Sequence, residues 1–292
     1  MSISSVLIIY KKSLYQLYGE ERKDERFLSH LEVDGEMKRR ALVAHDENQR
    51  AIEEVQRVVD LHGISSKSRY RARKSSTNEY DLVVTIGGDG TLLDASHAVQ
   101  DIPMLGVNSS PSFSVGHFCC SSSDTFARVF EGVLNGSQPI SRRTRLQVTV
   151  NGEPNPNPVL NEVLFSHPSP GAVTRFTIHG EDGERRYKSS GMWISTPSGS
   201  TGAIHSAGGS ILPPDSEQLQ YLIREPYWPP GTERLTGQGV MKGPLRFTSL
   251  ARQGAVYIDG HRLKERVGYG SEVTIDVTAP PLELVVESSG AS

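Results

Sequence analysis

The 292-residue chain has two cysteines, and they are neighbours, Cys119 and Cys120. Adjacent thiols give no disulfide framework and read as reduced, buried side chains. There is no zinc-ligand spacing either. His117, His167 and His205 stand near small-residue loops, without the Cys or His partners that a metal site needs. A dominant charge is also missing: 31 Lys and Arg against 34 Asp and Glu leave a net charge of −3. That removes the broad basic footprint of a nucleic-acid or anionic-membrane binder. The apolar start, Val6-Leu7-Ile8-Ile9-Tyr10, is too short for a signal-peptide core or a membrane span and reads as a first strand. Neither an internal repeat nor a long low-complexity segment is evident. The final Gly290-Ala291-Ser292 is not a peroxisomal address. The expectation is a cytoplasmic protein that binds neither nucleic acid nor membrane.

What is present is enough apolar sequence, 36% of residues, for a sizeable core in one large or two modest domains. A charged stretch follows the first strand through about Arg40 and reads as an exposed loop with some helix. Asp46 with Gln49 fits a variant capping box, Ile52, Val55 and Val59 recur at helical spacing, and Gly63 fits a C-cap. Residues 65–79 are rich in Ser, Lys and Arg. They read as an exposed loop, with Arg71, Arg73 and Lys74 as an alternative contact for phosphates. Strands at 82–86 and 104–107, with helices after Thr91 and near 124–134, predict a Rossmann-like parallel α/β domain over residues 1–138.

The periodicity then changes. Leu146, Val148 and Val150 alternate with polar residues before Asn151-Gly152, and Phe176 and Ile178 do so before Asp182-Gly183. Val256 and Ile258 precede Asp259-Gly260, and Val273, Ile275 and Val277 run up to Pro280-Pro281. Period-two alternation with hairpin signals predicts an all-β domain over 139–292, whose C-terminal end could pack back on the first.

Two loops carry chemistry. Leu82-Val83-Val84-Thr85-Ile86 ends abruptly in Gly87-Gly88-Asp89-Gly90-Thr91, just before a helix. Glycines let a ligand approach backbone amides, and a helix N-terminus favours phosphate. A carboxylate there would repel polyphosphate unless it holds a metal ion or takes a proton from an attacking hydroxyl. The loop therefore suits phosphoryl transfer, although a tight turn with Asp89 as a solvated cap has the same form. The second loop is Ser195-Thr196-Pro197-Ser198-Gly199-Ser200-Thr201, after Trp193-Ile194.

Gly87 to Thr91 resembles the signature of a kinase superfamily that includes NAD kinases, diacylglycerol and sphingosine kinases, and phosphofructokinases. Three more segments resemble the NAD kinase branch in order and spacing: Asn161-Glu162, Ser195 to Thr201, and Ser206-Ala207-Gly208-Gly209 with Pro213. The Asp259-Gly260 turn fits as well. Gly106-Val107-Asn108-Ser109, Gly116-His117-Phe118, and Leu219-Gln220-Tyr221 with Arg224-Glu225-Pro226 are similar to the plant NADH kinase subgroup.

The resemblance implies transfer of the ATP γ-phosphate to the 2′-hydroxyl of the adenosine ribose of NAD or NADH, with Mg²⁺ arriving on ATP. Asp89 is the implied base. Gly87, Gly88, Gly90 and Thr91 are implied to shape the phosphate pocket. Asn108, Asn161, Glu162, Ser190, Ser198, Thr201 and Ser206 are implied to face the nucleotides, with no resident metal. Family members commonly form dimers or tetramers, so a homodimer or homotetramer is expected. Two departures stand out. Ser189-Ser190-Gly191 replaces the family's Ala-Asp-Gly, which removes a carboxylate from the nicotinamide end and predicts acceptance of NADH. Gly202-Ala203 replaces Ala-Tyr and loses a stacking aromatic. The competing readings are a lipid or sugar kinase of the same superfamily, and a dinucleotide sensor without turnover.

Overall fold

The computed structural model describes residues 3–72, 76–77, 79–231 and 237–287. The chain forms two compact units, Met1–Ser141 with Glu283–Ser292, and Arg142–Leu282. The α/β-plus-β class expected from the sequence is the class observed.

The first unit contains β1 (Ser5–Tyr10), α1 (Glu25–Val33), α2 (Gly35–Leu61), β2 (Ser65–Tyr70), β3 (Leu82–Gly87), α3 (Asp89–Ser96), β4 (Met104–Asn108), β5 (Ser121–Ser122) and α4 (Phe126–Asn135). Its strands are parallel in the order β2-β1-β3-β4, and Leu284 pairs with Met104 beyond β4. Every residue of β3 and β4 is buried, as expected of a parallel strand covered on both faces. Ala51, Val55, Val58 and Val59 of α2 and Phe126, Val129, Phe130 and Val133 of α4 join the core made by Val6, Ile8, Leu82 and Val84.

Three local expectations are corrected here. The long helix starts at Gly35, not near Asp46. Asp34 caps it, with Oδ1 accepting the Glu36 and Met37 amides at 3.0 and 2.9 Å, so Asp46 and Gln49 lie inside the helix. The charged stretch before Arg40 is largely helical, because it packs as α1 and a π-helical turn at Tyr15–Glu21. Residues 65–70 form an edge strand on β1, because backbone pairing does not need apolar side chains at a sheet edge. Arg73 and Lys74 lie outside the described residues. Gly63 adopts φ +65° just after the helix, the left-handed position that glycine tolerates.

The second unit is antiparallel. It contains β6 (Ile140–Val150), whose first two residues belong to the first unit, β7 (Glu153–Pro154), β8 (Glu162–Ser166), β9 (Thr174–Gly180), β10 (Gly183–Ser189), β11 (Gly191–Ser195), α5 (Ala203–Ser206), β12 (Leu219–Arg224), β13 (Gln238–Met241), β14 (Leu245–Ser249), β15 (Gly254–Ile258), β16 (Leu263–Val267) and β17 (Glu272–Val285), whose last residues belong to the first unit. One sheet runs β13-β12-β11-β8-β15-β16; the other contains β10-β9-β14-β17, with β6 on β17 and β7 on β6. Alternate residues of both sheets bury Phe165, Phe176 and Phe247 as one aromatic cluster, with ring centroids 4.8–6.1 Å apart. Asn151 and Gly152 both have positive φ, as a two-residue hairpin turn requires. β17 does not stop before Pro280-Pro281. It runs through both prolines, and the fully buried Arg145 donates from Nε to the Pro280 carbonyl at 2.6 Å.

Candidate active site

In the first unit β3 delivers the chain to the glycine loop, and α3 begins at Asp89. A Cβ on Gly87 would lie 2.2 Å from Thr91 Oγ1, so packing alone demands glycine there. One on Gly90 would meet nothing within 4 Å. That absence leaves the first turn of α3 open. Gly88 at the N-cap has no side chain to bond the first-turn amides; the Thr91 amide donates to the Gly88 carbonyl at 2.9 Å, which leaves those of Asp89 and Gly90 for an anion. Asp89 Oδ1 accepts the Phe118 amide at 2.9 Å, which fixes the carboxylate's orientation.

Gly88, Gly90 and Thr91 line a cleft of about 810 Å³. Its cations are Lys11, Lys12, Arg40 and Arg71, and its apolar wall includes Leu14, Phe27, Met37 and Phe113. Three of the cations have protein contacts. Lys12 bonds Glu21 at 2.6 Å, Arg71 lies 3.6 Å from Asp94, and Arg40 stands over the Phe113 ring. Lys11 joins no ion pair among the described residues. Burial, and then the neighbouring Arg71, hold its ammonium below the usual range. Two cations crowded in a half-buried cleft are what an anionic ligand relieves.

Asn108 ends β4 opposite Gly87. Its Nδ2 donates to the Ser114 carbonyl at 2.8 Å, and its Oδ1 accepts the Ser110 amide. It therefore builds the loop beside the glycines, largely buried, rather than projecting from it. Cys119 and Cys120 are both pushed up to about 12, chiefly by burial, and stay as thiols.

The second unit gathers a separate set. Asn161-Glu162 forms a corner at the start of β8, where Asn161 Nδ2 donates to Glu162 Oε2 at 2.6 Å. The corner is held from two sides. Asp259 Oδ1 accepts the Asn161 and Glu162 amides at 2.8 and 3.0 Å, and Oδ2 accepts the Leu160 amide at 2.9 Å. Opposite, Thr196 donates from Oγ1 to the Leu160 carbonyl at 2.7 Å and from its amide to the Asn161 carbonyl at 3.1 Å. Gly199 packs so tightly that a Cβ there would lie 2.0 Å from the Asn161 carbonyl oxygen. Glu162 is raised from 4.5 to about 7, first by burial and then by the Asp259 charge, with the Asn161 hydrogen bond opposing.

Glu162 and Ser190 line one cavity of about 480 Å³, with Trp193, Arg224, Tyr257, His167 and His261. Ser190 donates its amide to the Arg224 carbonyl at 3.0 Å, and the Arg224 guanidinium lies over the Trp193 ring at 5.5 Å. Ser198 stands in the 3₁₀ turn Ser198–Thr201, its hydroxyl buried and without a hydrogen-bond partner among the described residues. Thr201 and Ser206 are exposed on that turn and on α5.

Known proteins show which family the chain resembles. The description "ATP-NAD kinase N-terminal domain" matches residues 9–137. A probable NADH kinase of Oryza sativa subsp. japonica is 36% identical over 233 residues, covering 72% of each chain. The chain belongs to the NAD kinase family. Solved members share the fold of this NAD kinase family chain at low identity. The Archaeoglobus fulgidus NAD kinase in complex with ATP superposes with a TM-score of 0.67 at 18% identity, covering 97% of this chain and 94% of that one. Yeast NADH kinase complexed with NADH gives 0.71 at 15%, covering 99% and 85%.

Of the expected residues, Gly87, Gly88, Asp89, Gly90, Thr91 and Asn108 fall together in the first unit. Asn161, Glu162, Ser190, Ser198, Thr201 and Ser206 fall in the second. Sequence reading did not find Lys11 as a cleft cation, nor Trp193, Arg224 and Tyr257 as cavity walls. Outward alternation on β8, β11 and β15 was the available signal for the walls, since Leu164, Trp193 and Tyr257 oppose one another in register.

Proposed function

We propose that this chain is an NAD(H) kinase that transfers the γ-phosphate of ATP to the 2′-hydroxyl of the adenosine ribose of NADH or NAD. The observation that carries the proposal is Asp89: a carboxylate at the open N-terminus of α3, oriented by the Phe118 amide, beside a cleft lined by Lys11 and Arg71. A carboxylate so placed can accept the proton of an attacking hydroxyl, while amides and cations offset the charge of the phosphates. The first unit takes the donor. The apolar wall of the cleft favours a nucleoside triphosphate over a bare polyphosphate. Mg²⁺ enters on the ATP phosphates and needs few protein ligands.

The second unit takes the dinucleotide. The Asn161 amide and the Glu162 carboxyl suit adenosine hydroxyls and base edge, and Ser198, Thr201 and Ser206 extend the polar surface. Ser190 and Arg224 favour the reduced cofactor. A hydroxyl stands at position 190 where most of the family has a carboxylate, and a guanidinium lines the same cavity, so the cationic ring of NAD loses a negative partner at that position, while Glu162 on the same cavity is assigned to the adenosine. This reading places the chain nearest the plant-type NADH kinases, in keeping with the rice relative. The test is NADP(H) formation from NAD and NADH side by side with MgATP. NADH turnover at or above NAD is expected, and Ser190→Asp should move the ratio toward NAD by about tenfold. No product from either dinucleotide would overturn the kinase assignment in favour of a sensor or another acceptor.

A further inference from the structure

The β15–β16 turn contains a carboxylate in an unfavourable place. Asp259 adopts φ +46°, which an Asp-Gly turn accommodates, so the backbone does not account for the cost. It puts a negative charge beside the half-buried Glu162, where a neutral residue would avoid the repulsion. The Asp259 amide donates to the Glu162 carbonyl at 2.9 Å, which carries the β15–β8 pairing up to the turn without use of the charge. What the carboxylate adds is three acceptor contacts to three successive amides, those of Leu160, Asn161 and Glu162. An asparagine could serve at most two of them, because its amide nitrogen would face a third N–H.

We propose that Asp259 is a positioning residue for dinucleotide binding, its carboxylate locking the Leu160–Glu162 backbone so that Asn161 and Glu162 present their side chains to the adenosine ribose. The inference rests on the assignment of that corner to the dinucleotide. Asp259 does not line the 480 Å³ cavity, so it acts through its neighbours. Its like charge also contributes to raising Glu162 toward neutral pH; the other titratable groups lining the cavity with Glu162 are His167, Arg224, Tyr257 and His261. A like charge kept beside Glu162 at a binding corner supports a role in binding.

The test follows NADH binding by its fluorescence, and turnover with MgATP, from pH 6 to pH 9. Asp259→Asn should raise the NADH Kd and KM together by about tenfold, with the ATP KM within about twofold. It should also move the pH midpoint of NADH binding below that of the parent, because a like charge has been removed. Asp182→Asn, in the β9–β10 turn, is the control and should change neither. An Asp259→Asn protein that loses only thermal stability or active fraction, with Kd, KM and midpoint at parental values, overturns the inference. Should that variant fail to fold, Thr196→Val loosens the same corner from the opposite side. It must then raise NADH Kd and KM selectively, and unchanged values overturn the inference. A parent protein that neither binds NADH nor phosphorylates it would overturn the dinucleotide assignment itself.

Discussion

The two segments that carry the candidate residues, one in each unit, are built by opposite means. The Gly87–Thr91 loop works by omission: no cap side chain at Gly88, no Cβ at Gly90, and cations along the adjoining cleft. The Asn161–Glu162 corner works by addition, with a carboxylate on one side, a threonine and a tightly packed glycine on the other, and a half-buried acid between. The first is suited to a ligand that brings its own negative charge. The second is suited to hydroxyls that need a fixed acceptor. The same residue type therefore means different things in the two places. Gly199 is demanded by protein packing, and Gly90 by nothing within the protein.

Breaking the corner should have the largest effect on the fold. Gly199→Ala forces a Cβ onto the Asn161 carbonyl oxygen and should cost roughly 3 kcal/mol, seen as an earlier denaturant midpoint. A wild-type midpoint would show that the corner is not rigid. Next comes the cleft. Lys11→Ala should raise the ATP KM by about 10- to 100-fold, with the NADH Kd little changed. If the two move together, the assignment of donor and acceptor to separate units fails.

The third prediction sharpens the contrast through pH. Glu162 has a folded value of about 7 against an ordinary 4.5, so the folded state holds the proton longer than the unfolded chain. That contribution is full at low pH and is lost as pH rises through about 7. Without ligand, thermal stability should fall between pH 5 and pH 8, and Glu162→Gln should flatten that component. Dinucleotide binding should run the other way, tightening as the carboxylate ionises to accept from ribose hydroxyls. A slope unchanged in Glu162→Gln would contradict the assignment. The smallest effect belongs to Gly90→Ala. Open space and a helical position predict a gain of about 0.5 kcal/mol in stability, with a severalfold higher ATP KM from the crowded phosphate approach. A loss of stability would mean that Gly90 serves the fold after all.

Much of this was legible in the sequence for physical reasons. β3 and β4 are apolar on both faces, and a strand covered on both sides has to be. Asn151-Gly152 and Asp259-Gly260 mark turns because few residues accept positive φ. The glycine loop was legible because consecutive glycines after an apolar strand mark a sharp turn that leaves the backbone open. What escaped was settled by partners far away in the chain. Ser65–Tyr70 has no strand-like composition and is a strand only because β1 offers an edge. The start of α2 was masked by a charged sequence that becomes helical through Asp34 and through packing. Asp259 stood out as a turn residue, but its second role depends on amides about a hundred positions earlier, and no local pattern reports that.

The most direct measurement compares Asp89→Asn with the parent in two assays, NADH binding and NADP(H) formation with MgATP. The account predicts NADH affinity within about threefold of the parent and turnover lower by about 10³-fold, since only the proton acceptor has been removed. Turnover within tenfold of the parent, with binding intact, would contradict it and leave Asp89 as a cap of α3.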